Sequence, residues 1–196
     1  MTKQVKLKMN NRQLQQGITL IDLVLTISIL SLLLGTALPA FDELLDKNKV
    51  NAQLMQLRST LQLARKIAIT EREKVTVCPT SDNLNCSSDW SQGYMAFIDH
   101  NEDRHFNNTD QLAYSHQIRD EHLQVKWRAF GVRSSFQWHE TGITNHQNGT
   151  FYLCFKEKPK LSRALIITKA GRIRISKDTD GDEIHEGAND KNLNCN

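Results

Sequence analysis

Gly171-Arg172-Ile173-Arg174 sets two guanidinium groups two residues apart, with Ile173 and Ile175 alternating between and beyond them. On a β-strand alternate side chains share a face, so Arg172 and Arg174 are expected side by side, about 6.6 Å apart. The isoleucines then face the core. Planar guanidiniums in file suit successive phosphates, because each can donate two parallel hydrogen bonds to one phosphate. Lys169 at the preceding turn and Lys177 at the strand's end lengthen the row. Arg163, Lys160 and Lys158 are expected across the hairpin's open side and widen it. A patch of this kind reads backbone charge and not base sequence. A solvated strand edge kept soluble by basic residues has the same composition, so the surroundings must decide.

The formal charge of the chain is +3, a small total that hides strong segregation. Residues 123–177 hold eleven basic and two acidic side chains, whereas 78–122 hold two basic and eight acidic ones. Residues 178–196 hold one basic and six acidic side chains. Once folded, such segregation produces a basic face on a nearly neutral body. Composition is otherwise that of a globular protein, with 39% hydrophobic and 24% charged residues, and it excludes collagen-like and low-complexity classes.

Other chemistry is weaker. Asp178, Asp180, Asp182 and Glu186 resemble a calcium loop, but Gly181 stands fourth and Glu186 ninth, where an EF-hand loop needs its sixth and twelfth positions. Asp99, Asn101 and Asp103 form a second such run, and both are read as acidic solvated turns without a metal. The seven histidines follow no ligand spacing. No nucleophile motif, zinc-protease motif or phosphate-binding glycine loop is present, so neither an enzyme nor a cofactor is expected. Trp90, Trp127 and Trp138 are read as core residues. Cys78, Cys86, Cys154 and Cys195 all follow the apolar run 23–38, and their even number reads as two disulfides made in an oxidising compartment. Of the three possible pairings, Cys78 with Cys86 and Cys154 with Cys195 are expected.

These residues need an anchor and a scaffold. Leu23–Leu38 is short alone for a membrane span of about 20 residues. Adding Ile18–Ile21 supplies the length but places Asp22 inside the span. A carboxylate there costs roughly 2.5–3.5 kcal/mol near the bilayer centre, so it needs a partner or a reason. A secretory signal would need a small-residue cleavage site that Ala37 and Ala40 do not make. A plain anchor leaves Gly17 and Asp22 unexplained. Beyond Pro39 the positions Val50, Leu54, Leu57, Leu61, Ala64 and Ala68 fall on one helical stripe, with Lys47, Arg58, Arg65 and Arg72 off it. The period then changes from 3.6 to 2. Strands are expected over 74–78, 93–98, 112–116, 123–130, 135–138 and 150–155. A last hairpin, 164–168 with 172–176, turns on Lys169-Ala170-Gly171, where Gly171 can take positive φ. The fold class is α+β: a long N-terminal helix, half transmembrane, then an antiparallel β-rich domain.

Four basic residues (Lys3, Lys6, Lys8, Arg12) precede Gln16-Gly17-Ile18-Thr19-Leu20-Ile21-Asp22-Leu23-Val24, and this stretch resembles the class III leader of type IV prepilins. Pro39 stands where the long pilin helix carries a proline. Ile18 replaces the family's usual Phe and Asp22 its usual Glu, one methylene longer. The resemblance implies a prepilin peptidase as a partner, cutting after Gly17 and methylating Ile18. It also implies a neighbouring subunit's N-terminal amine beside Asp22. Residues 1–17 are then a leader, 18–45 a transmembrane and filament-core helix, and 46–196 the soluble pilin domain.

Three further stretches narrow the resemblance to the GspH/FimT group of minor pilins and pseudopilins: Val75-Thr76-Val77-Cys78-Pro79; Trp90-Ser91-Gln92-Gly93 leading to Phe97-Ile98-Asp99; and Ala164–Ile167 with Ala170-Gly171-Arg172-Ile173-Arg174. The last is similar to the Gly-Arg-x-Arg signature of FimT-like members linked to DNA uptake. The resemblance implies a minor pilin held in the bacterial inner membrane by one span, its C-terminal domain periplasmic, that later joins other pilin subunits in a surface filament and binds DNA in natural transformation. A minor pseudopilin of type II secretion, with a structural role in assembly, is the alternative.

Gly17 is the first position to test. Gly17→Ala should block cleavage in a host that carries the peptidase, because the backbone there must come close to the peptidase's catalytic groups. N-terminal sequencing and mass of the wild-type mature chain should give a start at Ile18, and another start would overturn the leader assignment.

Overall fold

The computed structural model describes residues 19–129, 131, 134–144, 147–156 and 158–195. Gly17 and Ile18 lie outside the described residues. The chain divides into two compact units, one ending at Glu43 and the other running Leu44–Asn196. Helix α1, Leu20–Glu71, contributes to both.

In the first unit α1 contains a window with mean hydropathy 2.2, long and apolar enough to cross a membrane. Its hydroxyl groups are satisfied within the helix. Thr26, Ser28 and Ser31 donate to the carbonyls of Leu23, Val24 and Ile27 at 2.7–2.8 Å, which removes the cost of leaving an O–H unpaired in an apolar medium. Pro39 lies inside the helix. The helix begins with a reciprocal cap. Asp22 Oδ2 accepts from Thr19 N at 3.1 Å and from Thr19 Oγ1 at 2.8 Å, while Asp22 N donates to Thr19 Oγ1 at 3.2 Å. This is a capping box with Asp in place of the longer acid, and a carboxylate at a helix N-terminus is also favoured by the helix dipole. Asp22 thus has a local partner in its own chain.

In the second unit Val50, Leu54, Leu57, Leu61, Ala64 and Ala68 are all buried, as the stripe predicts, with Thr60 beside them. Arg72 ends the helix in the left-handed region at φ 59. Eight strands follow among the described residues: β1 Val75–Pro79, β2 Gly93–Ile98, β3 Gln111–Gln117, β4 Leu123–Ala129, β5 Phe136–Trp138, β6 Gly149–Phe155, β7 Arg163–Ile167 and β8 Ile173–Ile175. They form two antiparallel sheets, ordered β3-β2-β1-β5 and β4-β6-β7-β8. One core joins the helical stripe to Val75 and Val77 of the first sheet and to Phe151, Leu153, Leu165 and Ile167 of the second. Trp90 and Trp138 are buried within it, and Trp127 packs against it with its ring 4.2 Å from that of Phe151.

Cys78 is bridged to Cys86 and Cys154 to Cys195. The first bridge closes a short loop under a small satellite core of Met95, Phe97 and Phe106. The second spans 41 residues and holds the C-terminal tail against β6. In the chain-entropy picture that loop stabilises by about 4 kcal/mol. Cys154→Ala with Cys195→Ala should therefore lower the unfolding free energy by roughly 3–4 kcal/mol in a denaturant titration. Peptide mapping without reductant should recover the two pairs, and a Cys78–Cys195 peptide would overturn the pairing.

Candidate functional site

The β7–β8 hairpin is fixed by its own turn and by the helix beneath it. Thr168 N donates to Arg172 O at 3.1 Å and Gly171 N to Thr168 O at 2.9 Å. Arg172 N donates to Thr168 Oγ1 at 3.2 Å. The three-residue loop Lys169-Ala170-Gly171 closes with Gly171 at φ +79, the arrangement in which the last loop residue is left-handed. Glycine is required there for a second reason. A Cβ at 171 would sit 2.4 Å from Gly142 O and 2.9 Å from Trp138 Cζ3. The turn lies this close because Arg65 of α1 grips it. Arg65 Nε donates to Gly142 O at 2.8 Å, Nη1 to Gly171 O at 2.9 Å and Nη2 to Ala170 O at 3.2 Å. Its guanidinium also lies over the Trp138 ring, 5.5 Å from the centroid. Thr144 N adds a bond to Lys169 O at 3.0 Å.

Register settles which side chains share a face. Ile166 pairs with Arg174, Thr150 with Ile166, and Arg128 with Thr150. Arg128 and Arg174 therefore end one row across the outer face, three strand spacings or about 14 Å apart. Ile173 and Ile175 pack against the core on the other face. Arg172, Arg174, Lys169 and Lys177 are exposed and make no ion pair among the described residues. A groove of about 330 Å³ runs beside the row, lined among others by Asn148, Thr150, Thr168, Lys169 and Arg174. Arg128 lies over the Tyr152 ring at 5.1 Å.

The wider patch expected from sequence does not form. Arg163 is only 9% exposed and donates Nη1 to Lys160 O at 2.9 Å and to Ser162 O at 2.8 Å. The reason is strand parity. Arg163 alternates in step with the core residues Leu165 and Ile167, whereas Arg174 is in step with Ile166 on the outer face. Burial pushes the Arg163 pKa below the ordinary arginine range. Lys160 Nζ lies 2.5 Å from Glu183 Oε2, and Lys158 Nζ lies 2.6 Å from Asp46 Oδ2. Lys158 holds the Asp46 carboxyl below its ordinary pKa. The acidic tail thus offsets part of the basic segment, and among the described residues the exposed basic row runs over the turn, β8 and the Arg128 end of β4. Arg65 and Arg128 are the residues that sequence reasoning did not single out.

A long N-terminal helix whose second half is buried under antiparallel sheets defines the pilin-like class. The family described as "Type II transport protein GspH" matches residues 53–171, and the chain belongs to it. It is a minor pilin or pseudopilin. The crystal structure of the type IV minor pilin FimU of Pseudomonas aeruginosa strain PAO1 superposes with a TM-score of 0.54 at 21% identity, covering 66% of this chain and 90% of that one. The minor pseudopilin EpsH of the Type 2 Secretion System of Vibrio cholerae gives a TM-score of 0.48 at 12% identity, covering 65% and 95%. The likeness to FimU is one of fold. No curated protein matches the chain by sequence.

The clamp makes a direct prediction. Arg65→Met keeps the stem but removes three hydrogen bonds to carbonyls and should cost about 2 kcal/mol. Gly171→Ala should cost roughly 2–4 kcal/mol through its positive φ and its clash. Measured by denaturation in a double-mutant cycle, the two losses should be less than additive, since each breaks the same junction. Full additivity would show that the contacts are independent.

Proposed function

We propose that the chain is a minor pilin that joins a type IV pilus and binds the DNA backbone through the β7–β8 hairpin during DNA uptake. It is made as a prepilin, cleaved after Gly17 by prepilin peptidase and held by residues 18–45 in the inner membrane, with the domain 46–196 periplasmic until assembly with other subunits. Its role is binding and structural, without catalysis. The observation that carries this reading is the exposed row of Lys169, Arg172 and Arg174, without ion pairs among the described residues, on a turn immobilised by Arg65. A backbone held in place by Arg65 loses little further entropy on meeting phosphate, and each planar guanidinium can meet it through two hydrogen bonds. Arg163 is left out of the contact set because it is buried, and Lys160 because it is engaged by Glu183. A minor pseudopilin of type II secretion is the second reading, favoured by the description of the matching family.

Fluorescence anisotropy of the full chain in neutral detergent with a labelled duplex tests the first reading. Binding should be independent of sequence, with a dissociation constant on the order of 10⁻⁶ M at low salt, and should weaken steeply as salt rises. Arg172→Gln and Arg174→Gln should each weaken it and flatten the salt slope by about one unit. Arg119→Gln, the same charge loss at an exposed site before β4, should leave it unchanged. In cells the double variant should assemble pili yet lose DNA uptake. A double variant that binds like wild type at every salt concentration, or an equal loss in Arg119→Gln, would overturn the hairpin assignment and leave the pseudopilin reading.

A further inference from the structure

The loop between β2 and β3 holds an unsatisfied oxygen in an otherwise paired network. Asp99 follows β2 and is fully buried. Its Oδ2 accepts three hydrogen bonds: from Thr76 Oγ1 at 2.6 Å, Gln137 Nε2 at 3.0 Å and Arg104 N at 3.1 Å. Its Oδ1 is equally buried and has no partner. An orphaned carboxylate oxygen inside a protein costs on the order of 1–3 kcal/mol or more, and one standing explanation is an ion that completes the site. Around it, Asp99, Asp103 and Asp110 each bring a carboxylate oxygen within 4.8 Å of the other two. With Oδ2 occupied by three donors, Oδ1 is the oxygen left to meet a cation.

The spacing agrees with this position. Counting Asp99 as one, Asn101 is third, Asp103 fifth, His105 seventh, Asn107 ninth and Asp110 twelfth. These are the ligand positions of a twelve-residue calcium loop, in which the seventh contributes its backbone carbonyl. The sixth position, where such loops need a left-handed turn, is Arg104 at φ 66. The loop is already wound as a ligand cage requires. Asp103 Oδ1 accepts from His105 N at 2.7 Å, and its Oδ2 accepts from Asn101 Nδ2 at 2.8 Å and Asn107 Nδ2 at 3.3 Å. Asp110 accepts from His100 N at 3.1 Å and Asn107 N at 3.0 Å. The reading of Asp99 as part of a solvated turn therefore fails on its burial. The other acidic group, Asp178, Asp180 and Glu186, lacks the signature. The buried Glu186 there accepts from Thr179 N through both oxygens, at 3.2 and 3.0 Å, and the spacing does not fit.

We propose that the β2–β3 loop is a calcium site, with Asp99, Asp103 and Asp110 as carboxylate ligands and Asn101, His105 O and Asn107 completing an all-oxygen shell. Calcium fits better than magnesium because the ligands are many, lie on one loop and include several protein oxygens. Magnesium keeps most of its waters and takes one or two carboxylates. The cation would order the loop over Phe106, whose ring lies 5.3 Å from that of Phe97 beside the Cys78–Cys86 bridge.

The test is calorimetric titration of the full chain in neutral detergent, stripped with EDTA, using calcium chloride alone and then magnesium chloride alone. One calcium per chain should bind with a dissociation constant on the order of 10⁻⁴ M, the range of extracellular modules, and magnesium at least about tenfold more weakly. Asp99→Asn risks misfolding, so the exposed Asp103 and half-buried Asp110 are the informative positions. Asp103→Asn and Asp110→Asn should each weaken calcium at least about tenfold and lose most of the calcium-dependent rise in melting temperature. Asp180→Asn should bind as wild type does. No calcium heat and no rise in melting temperature up to about 10 mM, undiminished binding in Asp103→Asn and Asp110→Asn, or loss in Asp180→Asn would each overturn the assignment.

Discussion

The domain depends on one strip of helix. Among the described residues the two sheets share no ladder, so no strand-to-strand backbone hydrogen bond there ties them into one body. Burial does it instead: Val50, Leu54, Leu57, Leu61, Ala64 and Ala68 lie in the same core as both inner sheet faces. Fully burying each of the larger side chains contributes about 1.5–3 kcal/mol. The small residues come last, at Ala64 and Ala68, close to where Arg65 reaches out to the Gly142 loop and the hairpin turn. The stripe that makes the core thus also sets the height and angle at which the hairpin is presented. A change in helix packing would be felt at Arg172 and Arg174 without touching either.

Local patterns were legible in the sequence, and partnerships were not. The helical stripe and the strands were readable because each is a repeat of 3.6 or 2 residues bounded by turn formers. The split into two sheets was not, because β5 pairs with β1 across 61 residues between Gln137 and Thr76 and no local pattern encodes that. Arg65 looked like a solvated charge beside the stripe. Its partners are carbonyls 77 and 106 residues further on, on segments whose positions only the fold determines. Arg163 is different, since its side of the strand is written in the local pattern. Alternation counted back from Ile167 through Leu165 puts it on the core side, and a basic residue there was mistaken for part of the outer patch.

Gly171 shows how a motif combines two constraints that the sequence displays as one. The turn needs a left-handed residue, which Asn or Asp would tolerate at some cost. The packing needs the absence of a Cβ, which neither meets. Gly142, also at positive φ, faces the same junction, with Arg65 Nε 3.1 Å from where its Cβ would stand. Two glycines and one arginine side chain therefore bring the hairpin turn, the loop after β5 and the helix into contact over the Trp138 ring.

Electrostatics on the outer sheet face are divided by the tail. Counting from the register, the row of Lys126, Tyr152 and Ala164 lies one step from the row of Arg128, Thr150, Ile166 and Arg174. The Cys154–Cys195 bridge pins the tail over the first of these ends, where Lys126 Nζ donates to Cys195 O at 2.6 Å. The tail also brings Glu183 to Lys160 of the basic segment. The same covalent link that stabilises the domain therefore helps to hold the tail beside the lysine it offsets. Glu186 N donating to Lys177 O and Leu193 N to His185 O, both at 2.8 Å, hold the tail as well, so the bridge reinforces a placement that backbone bonds also favour. Held this way, it leaves Lys169, Arg172 and Arg174 exposed, and the long-range field there depends on where the tail's charges are fixed as well as on net charge.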